Sequence, residues 1–343
     1  MDQKPIIITM GDPTGVGPEL ICKALHSGAL DQLGKPLLVA GDPHVMLQAA
    51  QIFAPAAELN TADNGRFRLG IGHRALTIHP LSHLNPQTLR YGQPDRACGR
   101  AMADYIEWAA DRCLTDEATA LVTCPINKAA INAAGIAFPG HTELLAERCS
   151  VPKVVMMLAG STLKVCLVTT HLALQQVPQA LSTAEILETI RIVDRTLRSQ
   201  FGIKKPRLAV LSLNPHAGES GLFGDEEPRL IIPAIEAAVT EGICASGPHS
   251  ADTLFYFAVR GDYDAVICMY HDQGLIPLKL LHFEDGINVT LGLPIIRTSV
   301  DHGTAYDLAG TGAANPQSLI AAITTAAQMR SHPVNTTFDK ESP

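Results

Sequence analysis

The chain has 343 residues, of which 46% are hydrophobic and 17% charged, with a formal net charge of −8. That composition supplies a sizeable core, excludes a disordered chain, and at this length predicts two lobes or one large α/β unit. The acidic balance and the lack of any Lys/Arg block exclude nucleic acid as an expected partner, and no apolar run approaches the roughly 20 residues of a membrane helix.

At the start, MDQKPIIITMGD lacks a basic segment followed by a long apolar run, so no secretory signal is expected. The eight cysteines are scattered and form no CxxC; reduced, buried thiols in a cytoplasmic protein are expected. Along the chain, short β-branched runs alternate with helical ones. PIIITM (5–10) precedes PELICKALHSGAL (18–30), and PLLVAG (36–41) precedes PHVMLQAAQIF (43–53). The segment 65–101 is rich in turn residues and predicts irregular strands. TALVTCPI (119–126), KVVMMLAG (153–160), LKVCLVTTH (163–171), RLAVLSLNPH (207–216) and YDAVICMYH (263–271) read as further buried strands. TAEILETIRIVDRTLRSQF (183–201) and EPRLIIPAIEAAVTEG (227–242) read as helices, and the polar tail after Met329 as frayed. Near-continuous Val/Ile/Leu strands separated by helices predict an α/β sheet covered on both faces.

Several of these elements end in residues that can do chemistry. MGDPTGVGPE (10–19) is a glycine-rich strand-to-helix turn matching neither GxGxxG nor GxxxxGK[ST], so neither a Rossmann nor a P-loop site is expected there. Gly140-His141-Thr142-Glu143 opens a helix, where exposed N–H groups could meet an anion or Thr142 could simply cap the helix. Three strand-like runs finish in histidine: His171, His216 and His271. Ligands of α/β sheets bind beyond the carboxyl ends of strands, and three imidazoles with an open position form a catalytic metal centre; each alone reads equally as a hydrogen-bonded structural residue. The turns NPHAGESG and YHDQG accompany two of them. Lys279 and Arg297 are cations in strand-like apolar surroundings, LIPLKLL and LPIIRTS. Each needs a partner, either a substrate anion or a carboxylate such as Asp285 or Asp301.

Taken together, ITMGDPTGVGPE, PINKAAINAAGIAFPGHTELLAE, TTHLAL, LNPHAGESG, ADTLF, MYHDQGLIPLK and GINVTLGLPIIRTSVDHGTAYDLAG resemble the PdxA family of 4-hydroxythreonine-4-phosphate dehydrogenases. The resemblance spans roughly residues 6 to 325 in the family's order and is weakest across 43–95. It implies a fold like that of isocitrate and isopropylmalate dehydrogenases: two α/β/α lobes with a cleft, one from 1–125 plus 300–343 and the other from 126–299. It implies that His171, His216 and His271 hold a divalent metal (Zn²⁺, or Mg²⁺ or Co²⁺). His141, Thr142, Lys279, Asn288 and Arg297 would contact the substrate, with Asp252 close by. Lys279 and Asp252 are the candidate general bases, and Asp272 either orients His271 or touches the nicotinamide side. The loop DHGTAYDLAGTGAANP (301–316), with His302, Gly303, Thr304, Asp307 and Asn315, would read NAD; a carboxylate at Asp307 favours a ribose 2′-hydroxyl over the 2′-phosphate of NADP.

The implied reaction is oxidation of 4-phosphooxy-L-threonine to a β-keto acid that decarboxylates to 3-amino-2-oxopropyl phosphate, in pyridoxal 5′-phosphate (vitamin B6) biosynthesis. The implied assembly is a homodimer with its site at the subunit boundary. A paralogous dehydrogenase for 4-phospho-D-threonate or 4-phospho-D-erythronate is the alternative, against which GINVTLGLP and HFEDG speak. A non-catalytic metal- or ligand-binding paralogue is the remote one.

Overall fold

The computed structural model describes residues 4–330, so most of the tail expected to be frayed lies outside the described residues. In chain order the strands are β1 (Ile6–Thr9), β2 (Leu37–Gly41), β3 (Glu58–Thr61), β4 (Phe67–Ile71), β5 (Arg74–Pro80), β6 (Ala120–Thr123) and β7 (Val155–Ala159). β8 (Lys164–Leu167), β9 (Leu208–Leu211), β10 (Ala245–His249), β11 (Ala265–Cys268), β12 (Ile287–Leu291) and β13 (Arg297–Val300) follow. The fold is α/β, as the strand–helix alternation predicts, and the chain divides into two units: residues up to Ser150 with those from Leu293 onward, and Val151–Gly292.

In the first unit the strand order is β13-β6-β1-β2-β5-β4-β3, parallel as far as β5 and antiparallel over the last two pairs. β1 and β6 are wholly buried runs, IIIT and ALVT, as parallel strands covered by helices must be. The turn-rich segment 65–101 holds the β4–β5 hairpin and the start of the 19-residue helix Arg96–Leu114, which the sequence reading does not anticipate. Asp95 caps that helix through the amide N–H of Cys98 at 2.8 Å. Its buried Met102, Tyr105, Ile106 and Ala109 recur at helical spacing.

In the second unit the order is β10-β9-β11-β8-β7-β12, with β10, β9, β11 and β8 parallel and the β8–β7 and β7–β12 pairs antiparallel. Val165, Leu167, Ala209, Leu211, Val266 and Cys268 form its core with Leu254 and Leu278 from the covering helices. LIPLKLL departs from its strand-like reading: Lys279 lies in the helix His271–Leu281. A short apolar run carries too few turns for periodicity to separate strand from helix. Gly274 is likewise no turn residue. It is buried within that helix, where an added Cβ would lie 2.9 Å from Cys268 Sγ and 3.2 Å from Val165 Cβ, so glycine lets the helix sit close on the sheet.

The units part at 150/151 and 292/293, where the sequence reading parts the lobes at 125/126 and 299/300. Residues 126–150 stay with the first unit because the helices Lys128–Ala133 and His141–Arg148 pack on Arg96–Leu114. A Cβ on Gly99 would fall 2.1 Å from Ala130 O, and Arg148 Nη2 donates to Asp111 at 2.7 Å. β13 stays with the first unit because it pairs with β6.

Candidate functional site

The three histidines follow three neighbouring parallel strands of the second unit, β9, β11 and β8. His171 and His216 are exposed on loops, and His271 is the first residue of the helix His271–Leu281. The rings of His171 and His271 lie 5.6 Å apart between centroids. His271 Nδ1 is 2.7 Å from Asp272 Oδ1, which is the geometry of the orienting role considered for Asp272 and would leave Nε2 as the nitrogen able to meet an ion. His216 sits in the loop Pro215–Gly221, whose residues 216–220 all have positive φ, from 40° to 78°. L-residues rarely adopt that conformation, so the loop needs anchoring from outside itself. Among the described residues no three His, Cys, Asp or Glu side chains are gathered as a metal-binding group. The donor chemistry nonetheless suits an ion: two adjacent imidazoles, one backed by a carboxylate, favour a borderline metal such as zinc or cobalt over oxygen-seeking magnesium.

In the first unit, Thr123, His141, Arg297, Ser299, His302 and Gly303 line much of a cavity of about 180 Å³. Arg297 is 3% exposed and its Nη2 donates to Thr123 Oγ1 at 2.7 Å. Burial pushes its pKa down to about 10, against the opposing pull of Glu143. Gly140, not Thr142, is the residue before the helix His141–Arg148, so Thr142 sits in the first turn among the exposed N–H groups. His141 Nε2 is buried without a hydrogen-bond partner. Burial first, then the charges of Arg297 and Lys128, hold this imidazole neutral, well below the usual histidine pKa. A guanidinium, a neutral imidazole, hydroxyls and a helix N-terminus make a seat for a phosphate or carboxylate.

This has a consequence for stability. The unfolded chain takes up a proton on His141 near pH 6.5 that the folded chain refuses, so the stability His141 contributes is full above that pH and lost as pH falls below it. Replacing His141 by Gln is expected to flatten the acid limb of stability by up to ~1.4 kcal/mol per pH unit. Urea unfolding at neutral pH and at about pH 5 measures this, and an unchanged slope contradicts it. His79 and His249, also lowered by burial, remain as background in both proteins.

The loop 301–316 rests on the MGDPTGVGPE turn. Tyr306 donates its hydroxyl hydrogen to Asp12 Oδ2 at 2.6 Å and accepts from Asn127 Nδ2 at 2.7 Å. Val16 N donates to Thr304 O at 3.1 Å. Glu19 accepts from the N–H groups of Gly312 and Ala314, and Lys23 donates to their carbonyls at 2.8 and 2.6 Å. Burial and Asp12 push the Tyr306 phenol up to about 12. Asp12, Tyr306, Glu19 and Lys23 were not among the sequence candidates; their signal was the unexplained glycine-rich turn itself. His302 and Asp307 are exposed, and Asn315 Oδ1 accepts from Gln317 N at 3.0 Å at the start of the last helix.

The remaining candidates lie in the second unit. Asn288 is on β12 with a buried Oδ1 that has no hydrogen-bond partner. Lys279 places its ammonium 5.7 Å over the ring of Phe283. Asp252 is exposed in the first turn of the helix Ala251–Ala258. No described helix is long and apolar enough to cross a membrane.

The family profile described as pyridoxal phosphate biosynthetic protein PdxA matches residues 32–326. A relative from Geobacter metallireducens, named 4-hydroxythreonine-4-phosphate dehydrogenase, is 55% identical over 94% of this chain and 95% of its own. The crystal structure of 4-hydroxythreonine-4-phosphate dehydrogenase from Klebsiella pneumoniae is 42% identical, with a TM-score of 0.82 over 94% of this chain and 98% of that one. A terephthalate 1,2-cis-dihydrodiol dehydrogenase from Burkholderia xenovorans is 27% identical with a TM-score of 0.65, covering 95% and 98% of the two chains.

Proposed function

The chain belongs to the PdxA family, and from that membership we propose that it is a dehydrogenase oxidising the hydroxyl-bearing carbon of 4-phosphooxy-L-threonine with NAD. The β-keto acid formed loses CO₂ to give 3-amino-2-oxopropyl phosphate, a step of pyridoxal 5′-phosphate synthesis. The observation that carries this reading is the anion seat around buried Arg297 and neutral His141, which suits a substrate bearing a phosphate and a carboxylate.

In this reading Arg297, His141 and Thr142 hold an anionic group of the substrate, and Lys279 and Asn288 complete its orientation. Lys279 or Asp252 takes the hydroxyl proton as hydride leaves the same carbon. His171, His216 and His271 hold a divalent metal, with Asp272 fixing the tautomer of His271. Held there, the ion would supply Lewis acidity toward the substrate hydroxyl, and NAD would supply the hydride acceptor. The loop 301–316, braced through Tyr306 and Glu19, keeps the nucleotide in place, and Asp307 selects against a 2′-phosphate.

A homodimer is part of the same proposal. Each histidine-bearing segment is followed by exposed apolar side chains: Leu174 at 70%, Leu222 at 71%, and Ile276 and Leu280 at 67% and 83% exposure. Apolar surface concentrated beside a polar site suits a second copy of the chain.

The deciding measurement is NADH formation with 4-phosphooxy-L-threonine and, side by side, 4-phospho-D-threonate. Preference for the amino acid is expected; preference for the D-threonate phosphate, or no turnover of either, refutes the proposal. In the same assay Asp307→Lys should shift the NAD/NADP ratio of kcat/KM toward NADP by roughly tenfold or more, since a contact charge pair is worth about 1–4 kcal/mol.

A further inference from the structure

The second unit holds a buried polar network with one node two residues before each of the three histidines. Thr169, two before His171, donates its hydroxyl hydrogen to Met269 O at 2.7 Å. Met269, two before His271, donates its N–H to Gln273 Oε1 at 2.7 Å, and Gln273 Nε2 donates to Ser212 O at 2.7 Å. Asn214, two before His216, donates its N–H to Glu227 Oε1 at 2.8 Å and its side-chain amide to Glu227 Oε2 at 3.0 Å, while Ser212 Oγ donates to Asn214 O at 2.9 Å. Gln273 and Thr169 are each 7% exposed, and Ser212 and Glu227 each 1%. Gln273 lies in the first turn of the very helix that His271 opens, and its buried side chain joins the residues just after the ends of β11 and β9.

We infer that Gln273 is a positioning residue for metal binding: its amide clamps the turn carrying His271 to the strand end carrying His216. The inference rests on the assignment of the three histidines as metal ligands. Its physical basis is that the primary amide accepts from Met269 N through its oxygen and donates to Ser212 O through its nitrogen, at the full reach of the side chain. Neither partner faces solvent, so a side chain lacking either function leaves a buried group unpaired and the spacing of the two segments unenforced. Glu227 does for the His216 loop what Gln273 does between strands, by accepting from the two N–H groups that start it. The left-handed run 216–220 then begins from a fixed base.

The test is Zn²⁺ affinity of the folded full-length protein, read by calorimetry, with the Co²⁺ absorption spectrum as a report on ligand geometry. Gln273→Glu keeps the size and the acceptor and, when ionised, loses the donor; Gln273→Leu loses both. Zn²⁺ binding is expected to weaken about 10–100-fold, more for Leu than for Glu, with an altered Co²⁺ spectrum. Thermal melts establish that each variant is folded at the assay temperature, and the near-isosteric Glu variant carries the test if the Leu variant does not fold. A lowered Tm with parental Zn²⁺ affinity and Co²⁺ spectrum overturns the inference and leaves Gln273 a stability residue. A parental chain that takes up neither ion overturns the metal assignment itself, and the inference with it.

Discussion

With His271 replaced by alanine, the protein is expected to fold, to lose its divalent metal and to oxidise the phosphorylated substrate roughly 10³-fold more slowly. The fold survives because the His271 side chain is 34% exposed and its bond to Asp272 Oδ1 lies at the surface. An exposed pair of that kind contributes at most about 1 kcal/mol. Alanine is also well tolerated at the first position of a helix. The loss of activity follows from the ion's share of the barrier: Lewis-acid stabilisation of several kcal/mol corresponds to about 10³-fold at 1.36 kcal/mol per decade. Metal content by elemental analysis, a thermal melt and turnover measured together decide it. Parental turnover after thorough chelation, or parental metal content in the variant, defeats the metal assignment.

The second large effect is expected at Arg297, where function and stability should separate. Arg297→Met should lower kcat/KM roughly 10²–10⁴-fold, the worth of two charge-assisted bonds to a substrate anion at about 1.5–3 kcal/mol each. Stability of the substrate-free protein should change little, by about 1–2 kcal/mol in either direction. Burial already weighs against the Arg297 charge, so removing it relieves desolvation while leaving the Thr123 hydroxyl short of a donor. Inorganic phosphate supplies an independent reading. It should raise the Tm of the parental protein by binding the folded state, and fail to do so in the variant. Equal stabilisation of both proteins by phosphate argues that the anion seat lies elsewhere.

Residues important to both proposals differ in how they could be found. His171, His216 and His271 were visible because each ends a strand-like apolar run, and the strand order β9-β11-β8 sets those runs side by side. Arg297 was visible as a cation in an apolar run, and it is indeed on a buried strand. Lys279 shared that signal but lies on a helix, since LIPLKLL is too short for its period to be read. Gln273 and Glu227 gave no signal at all. A glutamine beside HD, or one glutamate of an EE pair, looks like any polar loop residue until the chain folds its partners Ser212, Met269 and Asn214 against it.

The sequence by itself determined the α/β class, the buried parallel strands and the residue types of the chemistry, because these follow from local hydrophobic patterning and from motifs contiguous in the chain. Tertiary structure alone decided that 126–150 packs with the first unit, that Tyr306 closes on Asp12, and that Gln273 spans two strand ends. Each of those rests on a contact between residues at least 60 positions apart or on close packing at a glycine such as Gly99, and neither leaves a periodic trace in the chain.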